Sequence, residues 1–301
     1  MADLRANKLA SVVPRVVPRT IMVTGASRGI GRAIALALAA RGHSLILTAR
    51  SVDGGAKFSG TSLNDPLAGM DLSGSVADVA RECQKLGAQA IAVAMDLTDE
   101  SSVIRAAQTA LAEFGVVDTL ISNAIYQGPG VNDWLQDLPI ENLRKVIEGD
   151  AIASVILLKS FLPGMLSSGR GVFVHLTSGA ASLVPNKPAG EGGWGVAYAM
   201  AKGAAHRIAG VMHAEYSSQG FRAYSLNPGH VTTEVMSMRA QREGREVTGK
   251  GPEDIASATR WLIEGNAEAG RCAEIADSSV SARGCRRRRG GHRRGNSARA
   301  V

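Results

Sequence analysis

The sequence predicts an α/β protein: a doubly wound parallel sheet of about seven strands with helices on both faces. Three observations predict it. Short, bounded apolar runs recur along the chain, and most are followed by an amphipathic helical stretch. The runs are apolar throughout rather than alternating, as in strands covered on both faces. The first run also ends in a glycine cluster that leads directly into a helix. Strands that alternate with helices pair in parallel through right-handed crossovers.

The elements follow in order. Residues 1–19 hold prolines and arginines without a period and read as a loose leader; they contain no continuous apolar stretch of the kind a secretory signal needs. Ile21, Met22 and Val23 form the first strand, and a helix follows from Arg32 to Ala40. The run from Ser44 to Thr48 is the second strand. Residues 51–75 are rich in Gly, Ser and Asp and have no period, so they read as an insertion. The next strand–helix units are Ala90–Ala94 with a helix over 99–113, and Thr119–Ser122 with a helix within 140–168. They are followed by Val172–Leu176 with a helix from 196, and Ala223–Leu226 with a helix from Glu253. The last strand falls near Cys272–Ala276. These elements form one domain over residues 20–277, and residues 278–301 form a basic, low-complexity tail.

Composition narrows the class. Of 301 residues, 45% are hydrophobic and 20% charged, which suits a globular chain and excludes collagen or wholesale disorder. No apolar run approaches the ~18 residues a membrane span needs. Cys83, Cys272 and Cys285 are far apart and form no CxxC pair, so neither a disulfide framework nor a zinc site is indicated. A cytoplasmic location is the natural reading, and no metal is expected. The net charge of +7 belongs to the tail, where residues 278–301 carry eight arginines and no acid, leaving residues 1–277 at −1. A uniformly basic nucleic-acid-binding surface is therefore excluded, and only the tail has the composition to meet a polyanion.

The first strand ends Thr24-Gly25-Ala26-Ser27-Arg28-Gly29-Ile30-Gly31. Gly25 permits the tight turn, Gly29 allows close approach to a pyrophosphate, and Gly31 allows the helix to pack near the sheet. The helix N-terminus offers free N–H groups to the phosphate. The same residues also read as G-x-S-x-G, a hydrolase nucleophile elbow, but they lie on the first strand with no oxyanion-hole loop before them.

The chain resembles the classical short-chain dehydrogenase/reductase family over about residues 19–276. The resemblance rests on the glycine loop, Asn123-Ala124, Ser178, Tyr198-x-x-x-Lys202, and Asn227-Pro228-Gly229-x-x-x-Thr233 with Thr232 beside it. It implies a Rossmann-type domain, a nicotinamide cofactor, carbonyl/alcohol chemistry and a homodimer or homotetramer. Strand two ends in Arg50 with no acid until Asp53, and Arg28 lies in the glycine loop. Both arginines match positions the family uses for NADP(H) in preference to NAD(H). Further cofactor contacts implied are Ser27, Ile30, Asp96, Leu97, Asn123, Ala124, Pro228, Gly229, Val231 and Thr232. Ile125 stands where the family has a glycine.

Tyr198 and Lys202 are spaced i, i+4, which puts them on one helical face. A free tyrosine is a poor base at neutral pH, and a lysine ammonium one turn away favours the phenolate. By the resemblance, Tyr198 is the acid/base and Ser178 bonds the substrate oxygen. Lys202 serves both the phenol and the cofactor ribose. The gap from Ser178 to Tyr198 exceeds the family's, so about Val184–Gly195 must loop out beside the pocket. Thr177 and Ser182 are alternative hydroxyls. Asp150 aligns with a helix asparagine that anchors a water chain from the lysine, and an ionised Asp can accept but not donate. Residues 234–250, with Met236 and Met238, fall where the family has its substrate lid. The reading is an NADP(H)-dependent oxidoreductase acting on a small carbonyl or secondary alcohol. Its rival is a cofactor-holding sensor or scaffold in which Asp150 and the altered C-terminal tail mark lost catalysis.

Overall fold

Apolar β-branched runs become strands because both of their faces can be buried, and here they are. In the computed structural model Thr20–Thr24 (β1), Ser44–Ala49 (β2), Thr119–Ser122 (β4), Val172–Leu176 (β5) and Arg222–Leu226 (β6) are buried along most or all of their length. Ala90–Ala94 (β3) lies at one edge and Glu274–Ile275 (β7) at the other. All are parallel, in the order β3-β2-β1-β4-β5-β6-β7. The structure describes residues 16–54, 57–62, 65–242, 244, 246, 248–265 and 274–275; most of the expected leader and all of the expected tail lie outside them.

Eight α-helices occur among the described residues: Gly29–Ala39 (α1), Val76–Lys85 (α2), Glu100–Phe114 (α3), Ile140–Ile147 (α4), Ala153–Ser167 (α5), Val196–Tyr216 (α6), Glu234–Arg242 (α7) and Pro252–Glu264 (α8). Helices α1, α2 and α8 cover one face in a core of Ile21, Val23, Ile34, Leu38, Leu47 and Ile255. Helices α3, α5 and α6 cover the other, around Met22, Leu120, Phe161, Phe173 and Phe221. Strand order reverses between β1 and β4, and the crevice beyond their C-terminal ends is where ligands bind in such sheets.

Four features differ from the sequence reading. The single helix expected within 140–168 is α4 and α5 joined by a π-turn, Glu148–Ile152. The continuous run Ile140–Ser167 is long and apolar enough to cross a membrane, contrary to the reading that no such run exists; half of its most apolar stretch is buried inside the fold. Helix α2 follows the aperiodic insertion, its N-cap Ser75 accepting from Asp78 N–H at 3.2 Å. The last residue of the expected leader, Arg19, is tied in, donating to Asp118 Oδ1 at 3.3 Å and to the Arg170 carbonyl at 2.7 Å.

Candidate active site

The loops after β1 and β4 are locked together by polar contacts. Thr24 Oγ1 accepts the N–H groups of Asn123 at 3.0 Å and Ala124 at 2.9 Å. Asn123 Nδ2 donates to the Thr24 carbonyl at 2.8 Å and the Gly25 carbonyl at 3.2 Å. A Cβ on Gly31 would lie 2.2 Å from the Gly25 oxygen, so only glycine lets α1 start this close to the turn. Ile125 replaces the family glycine without strain, because no described non-glycine residue has positive φ.

Together these loops form a cavity of about 450 Å³. Gly25, Ser27, Arg28, Gly29, Ile30 and Gly31 line it from the first loop, Arg50 from the end of β2, Asp96 and Leu97 from beyond β3, and Asn123 and Ala124 from beyond β4. Burial lowers the Arg28 pKa, nearby Glu234 raises it, and Arg50 lowers it again. Two guanidinium groups that repel across a cleft fit an anion between them. A lining drawn from the loops after β1 to β4, its glycines and this paired positive charge fit a dinucleotide.

Tyr198, Lys202, Ser178 and Asp150 do not line this cavity. They gather farther along the crevice, where α6 crosses the end of β5. Lys202 is only 3% exposed, and its Nζ donates to the Leu176 carbonyl at 3.0 Å. The same nitrogen lies 5.9 Å from the centroid of the Tyr198 ring. Ser178 follows β5, and its Oγ accepts from Ala180 N–H at 3.2 Å, capping the turn Gly179–Ala181. Of the alternative hydroxyls, Thr177 bonds His206 Nδ1 at 3.1 Å in the interior and Ser182 is exposed. Residues 184–195 loop out as expected, held where Trp134 Nε1 donates to the Ala189 carbonyl at 3.0 Å.

Asp150 sits in the π-turn and is 1% exposed. Its Oδ1 accepts the Tyr126 N–H at 2.7 Å, while Oδ2 is buried without a partner. Burial pushes the carboxyl up to about 6, opposed by the Lys202 charge and the Tyr126 N–H. His175, on β5, is held neutral well below the usual histidine range by burial, with Lys202 and His206 adding to the effect. Beyond β6, the Gly229 N–H donates to Asn227 Oδ1 at 3.0 Å. Val231 bridges to Lys250, and Thr232 N–H donates to the Lys250 carbonyl at 2.9 Å. Pro228 lies in the same turn.

Several site residues escaped the sequence reading. Tyr126 lines the cavity and fixes Asp150; only its place two residues after Asn123-Ala124 could have pointed to it. Phe58, Leu72 and Arg239 also line the cavity, from the insertion and from α7. Among the described residues no group of acids, histidines or cysteines could hold a metal. Cys83 is buried, its thiol pushed up to about 11 mainly by desolvation, and it is not a ready nucleophile.

A glycine-lined cleft at the strand switch point, beside a half-buried tyrosine and a buried lysine, defines a dinucleotide-binding α/β protein. The chain belongs to the short-chain dehydrogenase family, whose model matches residues 19–65 and 67–244. The 1-deoxy-11-beta-hydroxypentalenate dehydrogenase of Streptomyces exfoliatus is 35% identical over 179 residues, 59% of this chain and 62% of its own length, so the chain spans less than two thirds of that relative. The cis-4-hydroxycyclohexanecarboxylate dehydrogenase of Sinomonas cyclohexanicum is 29% identical over 201 residues, 64% of this chain and 76% of the relative. The fold is also that of L-sorbose reductase from Gluconobacter frateurii, solved with NADPH and L-sorbose: TM-score 0.71, 22% identity, 87% of this chain and 95% of that one.

Proposed function

We propose that the chain is an NADP(H)-dependent oxidoreductase interconverting a carbonyl and a secondary alcohol, with Tyr198 as acid/base. The observation that carries the reading is the Tyr198–Lys202 pair: a buried ammonium held beside the phenol ring, at the end of a cleft shaped for a dinucleotide. When bound, the nicotinamide supplies or accepts the hydride. Tyr198 O–H gives its proton to the carbonyl oxygen as the carbon is reduced, and takes it back in the alcohol direction. Lys202, anchored on the Leu176 carbonyl, keeps its other N–H groups for the ribose hydroxyls, and its charge favours the phenolate. Ser178 directs its O–H to the same oxygen. Arg28 and Arg50 take the 2′-phosphate, and no acid ends β2 to bind a bare 2′-hydroxyl.

The names of the two dehydrogenase relatives describe hydroxylated carboxylates, one built on a cyclohexane ring. Ring-borne secondary alcohols are therefore the first substrates to try. We place the activity in one cytoplasmic domain over residues 20–277 that works as a homodimer or homotetramer, with residues 278–301 a solvated appendage. The sensor reading is favoured by one observation only, the carboxyl at Asp150. The test is turnover with a panel of ring and open-chain ketones and alcohols, each with NADP(H) and NAD(H). Consumption of NADPH supports the enzyme; tight binding without consumption across the panel supports the sensor.

A further inference from the structure

The insertion after β2 is not a loop in solvent. Its described residues, 57–62 and 65–75, form a strap over the cavity. Lys57 and Asp71 pair in an antiparallel bridge. Phe58 and Leu72 face the cavity, Phe58 being 3% exposed. The returning chain presses on the glycine loop, since a Cβ on Gly74 would lie 2.5 Å from the Ser27 carbonyl. Two further contacts fix the strap: Asn132 N–H donates to the Thr61 carbonyl at 2.8 Å, and Asn132 Nδ2 to Thr61 Oγ1 at 3.2 Å.

The centre of the strap is Asp65, whose side chain is 2% exposed. Its carboxylate accepts from Thr61 N–H at 2.8 Å, Thr61 O–H at 2.7 Å and Leu67 N–H at 3.0 Å. It also accepts from Arg239 Nη2 at 2.7 Å, across to α7. Burial raises the Asp65 pKa, and these hydrogen bonds with the Arg239 charge bring it below the usual carboxylate range, so the ion pair is held. Arg242 Nη1 adds a bond to the Pro66 carbonyl at 3.2 Å. Arg239 itself lines the cavity, and its Nε is shut off from water with no hydrogen-bond partner. The start of α7 meets the phosphate loop directly: a Cβ on Gly29 would lie 3.3 Å from Thr233 Cγ2. The cavity wall thus carries a third guanidinium, fixed by a carboxylate behind it.

We infer that Arg239 is a contact for the cofactor's phosphates and that Asp65 positions it, so that strap and α7 close as one roof over the nucleotide. The inference rests on the reading of the cleft as a cofactor site. The experiment is NADPH and NADH binding by nucleotide fluorescence, with release by stopped flow, on the full chain and on Arg239→Gln, Arg239→Lys, Asp65→Asn and the Asp65→Asn/Arg239→Gln double variant. Arg239→Gln should weaken binding about tenfold or more and speed release. Arg239→Lys should recover part of the loss. Asp65→Asn should weaken binding several-fold, and the double variant should be no weaker than Arg239→Gln alone, because Asp65 acts through Arg239. Equal losses for both nucleotides place the guanidinium on the diphosphate; a loss confined to NADPH places it on the 2′-phosphate. Unchanged binding in folded Arg239→Gln, checked by its unfolding midpoint, overturns the inference, and additive effects in the double variant overturn the role of Asp65. If the unmodified chain binds neither nucleotide, the cofactor reading itself falls and takes the inference with it.

Discussion

The two ends of the crevice are built by different means. At the glycine-loop end the work is done by backbone: a helix start that needs glycine at Gly31 to pack on the Gly25 turn, and loops bolted together through Thr24 and Asn123. At the Tyr198–Lys202 end it is done by buried ionisable side chains, Lys202 at 3% and Asp150 at 1% exposure, whose properties depend on what packs around them. A backbone requirement restricts which residue can stand at a position. A buried charge depends instead on partners distant in sequence, such as Leu176 and Tyr126.

The largest expected effect separates the two ends. Tyr198→Phe should lower kcat by about 10² to 10⁴-fold while NADPH affinity stays within about twofold, since only the proton donor is lost. Steady-state rates beside fluorescence titration check this; turnover near the unmodified rate would remove Tyr198 from the mechanism. Lys202→Ala should cross the divide, lowering kcat on the order of a hundredfold and weakening NADPH as well, because one ammonium serves both ends. Damage to only one of the two would contradict the shared role.

Asp150 offers a test in stability. Its carboxyl is raised from 3.8 to about 6 in the folded state. The folded chain then holds a proton that the unfolded chain has already released, so this group costs stability as pH rises from about 4 to 6. Asp150→Asn should therefore gain relative to the unmodified chain by about 2 kcal/mol between pH 4 and pH 7. Denaturant unfolding at the two pH values measures the gain, and a constant difference would mean the carboxyl titrates normally. A smaller shift is expected at the nucleotide end. Arg50→Asp should move the NADPH:NADH ratio of kcat/KM toward NADH by about tenfold or more, through loss of one charge-assisted contact. The smallest effect is none: deleting residues 278–301 should leave kcat unchanged and lower the salt at which the protein leaves heparin.

The contrast also explains what was legible in the sequence. All seven strands were located, because buried parallel strands are written as apolar runs. The residues expected to contact a cofactor in the loops after β1 through β4 line one cavity, and the glycine and asparagine motifs among them mark turns directly. In the sequence the strap is only an aperiodic insertion, since its order comes from Asp65 and Thr61 contacts rather than from a hydrophobic period. The π-turn that buries Asp150 has no residue signature either. Isoleucine, valine and leucine continue helically on both sides of it, and one extra residue per turn leaves the composition unchanged.

The central claim is that the chain transfers hydride rather than merely holding a nucleotide. The most direct measurement supplies NADPH deuterated at the nicotinamide C4 to the full chain with a ketone from the panel, and reads the alcohol by mass spectrometry. The account predicts one deuterium on the carbinol carbon, with Tyr198→Phe giving little product in the same time. NADPH bound but left unoxidised across the panel, or product formed without the label in reactions with either C4 epimer, would contradict it.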